Sequence, residues 1–245
     1  MVRPLVVGVD GSDASFLALD WAVDEAALHE LPLRLVYASR WERYEDAALG
    51  LSLKRPAGEV LAGLLLGSVG LAVAGRARCP VIVVRGDKAG LAGTPERVLL
   101  GVGDSAKGSE AVRFAFREAA VRGCTLDAVR AWRCPAHETT DHPLLAGDPE
   151  RYHEGRASAV LDEALEETAG EYPTVRVRRA TVEGPAHKVL MQRSAAADLL
   201  VIGAQRRDSH LGLHLGRVAH TAAPRGVPRG GRAAVGVNAD PTSAS

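Results

Sequence analysis

Aromatic side chains are sparse: Phe, Trp and Tyr make up 4% of the 245 residues. Proteins that grip single-stranded nucleic acid stack its bases on aromatic platforms, which this composition does not supply. Neither sign of charge is in excess, since 30 Lys and Arg balance 30 Asp and Glu. No net field draws the chain toward nucleic acid or an anionic membrane, and neither is expected as a partner. Cysteine is rare. Cys79, Cys124 and Cys134 form no even-numbered disulfide framework, and their spacing fits no zinc pattern. They read as incidental thiols of a reducing compartment. Apolar runs are broken by Gly and Arg well short of the roughly 20 residues that a membrane span needs. The opening Met1-Val2-Arg3-Pro4-Leu5 shows no signal-peptide core. A cytoplasmic protein is the expectation.

What is abundant is Ala, Val, Leu and Gly, and they are arranged twice. Leu5-Val6-Val7-Gly8-Val9-Asp10-Gly11-Ser12 returns as Val98-Leu99-Leu100-Gly101-Val102-Gly103-Asp104-Ser105, an offset of 93 residues. The runs that follow keep the same register. Ala18, Leu19, Ala22, Val23, Glu25 and Ala26 match Ala111, Val112, Ala115, Phe116, Glu118 and Ala119. A repeat of this length implies two related domains rather than a solenoid of small units.

Each copy opens on a short apolar run. Such a run reads as a strand covered on both faces, as in a parallel sheet. Ser12 or Asp13 can cap the following helix, whose apolar stripe is Leu19, Ala22, Val23 and Ala26. Leu33–Ala38 reads as a second strand and Cys79–Val84 as a closing one, with a glycine-interrupted helical stretch at Glu59–Ala74 between them. In the second copy, Val98–Val102, Leu126–Ala131, Val175–Val182 and Leu199–Ile202 read as strands. Helices are predicted over Ser109–Val121, Glu154–Ala169 and Pro185–Ser194. Strands alternating with helices predict an α/β fold of two doubly wound parallel-sheet domains. The expected boundaries are 1–86 and 96–237, with 87–95 as linker and 238–245 as a disordered tail. The second domain lacks a clear last strand. Ala233–Val237 is a weak one.

The chemistry of such a sheet sits at the carboxyl ends of its strands. Asp10 there can meet a ribose hydroxyl. Gly67-Ser68, at a helix start, can offer backbone N–H groups and a hydroxyl to phosphate. Ala38 closes the second strand at the same rim. Val7-Gly8-Val9-Asp10-Gly11-Ser12, Leu65-Leu66-Gly67-Ser68-Val69 and Arg78-Cys79-Pro80-Val81-Ile82-Val83-Val84 together resemble the universal stress protein family. The doubled layout and the Leu35–Tyr44 stretch are similar to its tandem actinobacterial members.

That resemblance implies a five-stranded parallel domain of the adenine nucleotide alpha hydrolase type, which in many members binds ATP. It implies a nucleotide site formed by Val9, Asp10, Ala38, Gly67, Ser68 and Val69 in the first copy, and by Gly203 and Gly216 in the second. The family signature is Gly, two residues, Gly, nine residues, Gly, then Ser or Thr. Its two leading glycines fall on Lys54 and Ala57 in the first copy. In the second, Arg206 and Arg217 replace the middle glycine and the hydroxyl residue. From Gly8 to Gly67 is 59 residues, against 115 from Gly101 to Gly216, so the first copy has lost 56. The first domain is therefore truncated and expected to lean on the second. His210 and His214 lie four apart with no third metal ligand evident, and no catalytic triad can be placed. The expectation is no enzyme, and no metal. The leading reading is a stress-response nucleotide-binding protein with degenerate sites, paired between its halves or as a homodimer. The alternative is an interaction scaffold of the same fold without nucleotide.

Overall fold

The structure, a computed structural model, describes residues 2–37, 79–84, 97–104, 106, 109–134, 149–204 and 232–237. The first repeat contributes β1 (Leu5–Val9), α1 (Asp13–Leu28), β2 (Leu33–Tyr37) and β3 (Val81–Val83). The second contributes β4 (Arg97–Gly101), α2 (Glu110–Arg122), β5 (Thr125–Trp132), α3 (Pro149–Glu171), β6 (Val177–Glu183), α4 (Ala186–Ser194), β7 (Leu199–Ala204) and β8 (Arg232–Val237). The helix α3 starts earlier than its charged pattern predicts, because Pro149 is preorganised for a first helical position.

Equivalent serines start the two repeat helices. Ser12 Oγ accepts from Ser15 N at 3.3 Å, and Ser109 Oγ accepts from Val112 N at 3.3 Å. Each cap satisfies one of the amide donors that a helix start leaves without a partner. Gly11, at φ +83, makes the turn into α1 in a region that side chains disfavour.

Strands β1 and β2 pair in parallel as a two-stranded sheet. The other sheet has six strands in the order β3-β8-β7-β4-β5-β6. Its five second-repeat strands are all parallel. The weak strand at Ala233–Val237 is real: β8 pairs with β7 from Leu199↔Arg232 to Ala204↔Val237. The second repeat thus has the last strand that its sequence left unclear. The local hydrophobic signal there is faint, and the pairing partner supplies what propensity does not. A further departure from a purely parallel scheme is β3, which runs antiparallel to β8 with Val81↔Val235 and Val83↔Ala233. The first repeat's closing strand therefore belongs to the second repeat's sheet.

One face of the large sheet packs on α2 and α3 through Phe116, Leu100, Leu126, Leu161 and Leu165. The other packs on α4, where Val189 and Leu190 meet Leu99, Leu200 and Ile202. Gly101 is what lets α4 close in: a Cβ there would stand 2.8 Å from Leu190 Cδ1. Its repeat-mate Gly8 has nothing within 4 Å. Likewise Leu99 is 1% exposed while its mate Val6 is 57% exposed. One face of β1 packs on α1, through Val7, Trp21 and Ala22 with Ile82 and Val84 of the β3 segment beside them. Among the described residues, nothing takes the place of α4 on the opposite face of the first repeat. The apolar stripe expected on α1 shifts accordingly. Trp21, Ala22, Glu25 and Ala26 are buried, while Val23 is exposed.

Candidate functional site

Crossovers leave β4 to one side, toward β5, and β7 to the other, toward β8. The carboxyl ends of β4 and β7 therefore flank a topological switch point, where open α/β sheets hold ligands. Val102 and Gly103 follow β4, and Gly203 lies near the end of β7. A Cβ on Gly103 would meet nothing within 4 Å, so the backbone there faces open space. At Gly203 a Cβ would touch Ala111 Cβ at an ordinary 3.7 Å.

The side chain that organises this rim was not singled out by sequence reasoning. Arg130, on β5, sends Nη2 to Asp104 Oδ1 at 2.5 Å and Nη1 to the Val102 carbonyl at 3.4 Å. Its Nε is buried with no hydrogen-bond partner. A half-buried guanidinium with a donor to spare suits an anionic oxygen. Asp104 is almost fully exposed, so solvent screens its pairing with Arg130. Arg130 aligns with Tyr37 of the first repeat, so the repeat itself gave no signal for it.

In the first repeat, Val9 is buried at the end of β1 and Asp10 follows it, exposed. Asp10 Oδ1 accepts from Ser12 N at 3.0 Å and from Ser12 Oγ at 2.6 Å, a local turn that engages the carboxylate. Ala38, Gly67, Ser68, Val69 and Gly216 lie outside the described residues, as do Arg206, Arg217, His210 and His214. Of the expected site, the structure brings Val9 and Asp10 to one rim and Gly203 to the other. The orphan donor and the open backbone at the second rim leave room for an anionic group. The glycine-and-hydroxyl half of the signature is not among the described residues.

A second cluster joins the repeats. Glu25 and His29 of α1 meet Glu118 and Arg122 of α2, and both pairs are repeat-mates, four residues apart on their helices. Arg122 Nη2 reaches Glu25 Oε2 at 2.6 Å, while Arg122 Nη1 bonds Glu118. His29 Nε2 lies 3.2 Å from Glu118 and 3.3 Å from Glu25. Each pair thus exchanges partners with the other, as in a two-fold contact. Burial would raise the Glu25 pKa, but hydrogen bonds from His29 and Arg122 outweigh it and hold it at about 2. Hydrogen bonds to Glu118 and Glu25 raise His29 to about 9 against the cost of burial. Burial opposes the charge on Arg122, and the two glutamates push its pKa above the ordinary value. Glu25, His29 and Glu118 have the composition of a metal site, with ligand atoms within 4.8 Å of one another. The Arg122 guanidinium already supplies the cation between the two carboxylates, so the cluster is an ion-paired contact and not a metal centre.

The universal stress protein family model matches residues 1–62 and 95–224. The chain belongs to the universal stress protein family. A universal stress protein of Mycobacterium tuberculosis is 26% identical over 89% of the chain and 92% of its own length. A second from that organism is 28% identical over 88% and 92%. These alignments run over 279 and 276 residues against a chain of 245, so both relatives carry residues that this chain lacks. Among solved structures, a universal stress protein of Archaeoglobus fulgidus covers 96% of both chains with a TM-score of 0.56 and 16% identity. That similarity supports the α/β fold. Among the described residues, no helix is long and apolar enough to cross a membrane.

Proposed function

We propose that this universal stress protein binds an adenine nucleotide, ATP, as a ligand at the carboxyl rim of its second repeat. The observation that carries the reading is the buried, unpartnered Nε of Arg130 beside the open backbone of Gly103 at the switch point. Gly203 and Gly216 would complete the second site. Val9, Asp10, Ala38, Gly67, Ser68 and Val69 would form the remnant of the first. The chain divides as 1–86 and 96–237 about a linker at 87–95, followed by a tail at 238–245. Its halves pair with each other or across a homodimer, in the cytoplasm. ATP changes the contacts between halves rather than being turned over.

Two measurements test this: nucleotide released from purified protein, and the melting temperature with ATP and magnesium. A ligand that binds only the folded state at 100 times its Kd adds about 2.7 kcal/mol. The expected result is a clear upward shift that Arg130→Ser reduces. No shift at millimolar ATP overturns the reading. It would favour the second one, an interaction scaffold without nucleotide. The observation behind that alternative is that the rim carboxylates are already engaged, Asp104 by Arg130 and Asp10 by Ser12.

A further inference from the structure

At the amino ends of the same strands lies a cavity of about 450 Å³, lined by Arg97, Asp127, Val129, Arg178, Arg179, Ala180 and Arg193. It is at the far end of the sheet from the rim where nucleotide is expected. Arg97 opens β4, Asp127 is the third residue of β5, and Arg178 pairs with it in register on β6. These three share the face that α4 covers. Arg193 comes from the last turn of α4, where a cation also favours the helix dipole. The repeat does not contain this arrangement, since Arg97 and Asp127 align with Pro4 and Arg34.

The lining carries four guanidinium groups against one carboxylate. Arg179 is paired outward to Asp162 at 3.0 Å. Arg97 donates its backbone N–H to Asp198 at 3.1 Å. Its Nε lies 3.3 Å from Asp127 Oδ2, close enough for an ion pair but not aligned for a hydrogen bond. Among the described residues, Arg178 and Arg193 hold no ion pair. Two buried atoms are left over. Arg97 Nε–H is a donor and Asp127 Oδ1 an acceptor, and neither has a hydrogen-bond partner. Asp127 as a whole is only 9% exposed. Buried polar atoms without partners are rare, and leaving them so is costly.

We propose that this cavity is a binding site for a small phosphate ester bearing a free hydroxyl group. Forked guanidinium groups match phosphate oxygens, which accounts for Arg97, Arg178 and Arg193. A phosphate dianion alone leaves Asp127 Oδ1 facing another anion. A ligand with a hydroxyl next to its phosphoryl group satisfies the donor and the acceptor together. The volume suits a small molecule rather than a polymer.

The test uses glycerol 3-phosphate and inorganic phosphate as probes, with titration calorimetry on the full chain. Neither probe carries a base, and Arg130→Ser separates binding here from phosphate held at the nucleotide rim. The expected result is that glycerol 3-phosphate binds about tenfold more tightly than phosphate. Replacing the two exposed arginines together, Arg178→Ser with Arg193→Ser, should weaken both probes by about tenfold or more. The isosteric Asp127→Asn should abolish the preference for the ester while leaving phosphate binding in place. Arg130→Ser should change neither. No binding at millimolar probe, or binding that survives loss of Arg178 and Arg193, overturns the proposal. So does an ester preference unchanged in Asp127→Asn, or binding lost in Arg130→Ser.

Discussion

Replacing Arg122 by Met should destabilise the chain by about 3–5 kcal/mol, the cost of removing one partner from a buried ion pair. Arg122 is 3% exposed, and the two carboxylates it bridges are 7% and 2% exposed. With His29 protonated at neutral pH, the four groups sum to zero charge. Met fills much of the arginine's volume but leaves two buried carboxylates sharing one imidazolium. Two unit charges 4 Å apart interact by about 4 kcal/mol at an effective dielectric of 20, so the uncompensated charge dominates the lost packing. Replacing all four groups by apolar residues of similar size removes the imbalance, and such swaps are often neutral or stabilising. The two variants should therefore fall on opposite sides of the scale. Urea unfolding followed by the fluorescence of Trp21, which is buried on the same helix as Glu25, reads the difference. The reasoning fails if Arg122→Met lies within about 1 kcal/mol of the parent. It fails equally if the four-residue apolar variant is as unstable as the single one.

The same cluster predicts a pH profile. His29 titrates near 9 folded and near 6.5 unfolded, so its stabilisation is complete below about 6.5 and is lost as pH rises through about 9. Glu25 works in the opposite direction: its contribution is complete above 4.5 and is lost as pH falls toward about 2. Urea midpoints from pH 6 to 10 should drop across the upper window in the parent and stay flatter in His29→Gln. The two repeat-mate glycines offer a paired test by the same unfolding assay. Gly101→Ala must push aside Leu190 and Ile202 and should cost about 1–3 kcal/mol. Gly8→Ala meets nothing and should be neutral, or stabilising by up to about 1 kcal/mol.

The strands flanked by turn signals were legible because apolar runs are local: Leu5–Val9, the run at Val98 and Leu199–Ile202 all form strands where the pattern put them, although among the described residues β1 is covered on one face and not on two. The weak strand at the end of the second repeat was harder. Its identity comes from hydrogen bonds to β7 and β3, partners distant in sequence. The inter-repeat cluster was half visible. Glu25 and Glu118 matched across the repeat, each flanked by residues of an apolar face, and a charge kept in such a place signals a buried partner. His29 and Arg122 differ in type, so alignment by similarity passed over them. Arg130 and the Arg97–Asp127 pair gave no local sign, because each depends on which strands become neighbours.

Strand β3 has a consequence for the behaviour of the chain in crowded solution. Without it, β8 would end the large sheet with a full row of unsatisfied amides and carbonyls, a template for coalescence with other molecules. Three residues of the first repeat pair with half of that strand, from Ala233 to Val235, and a strand so brief offers newcomers little to extend. A segment of the first repeat thus covers part of an edge that belongs to the second.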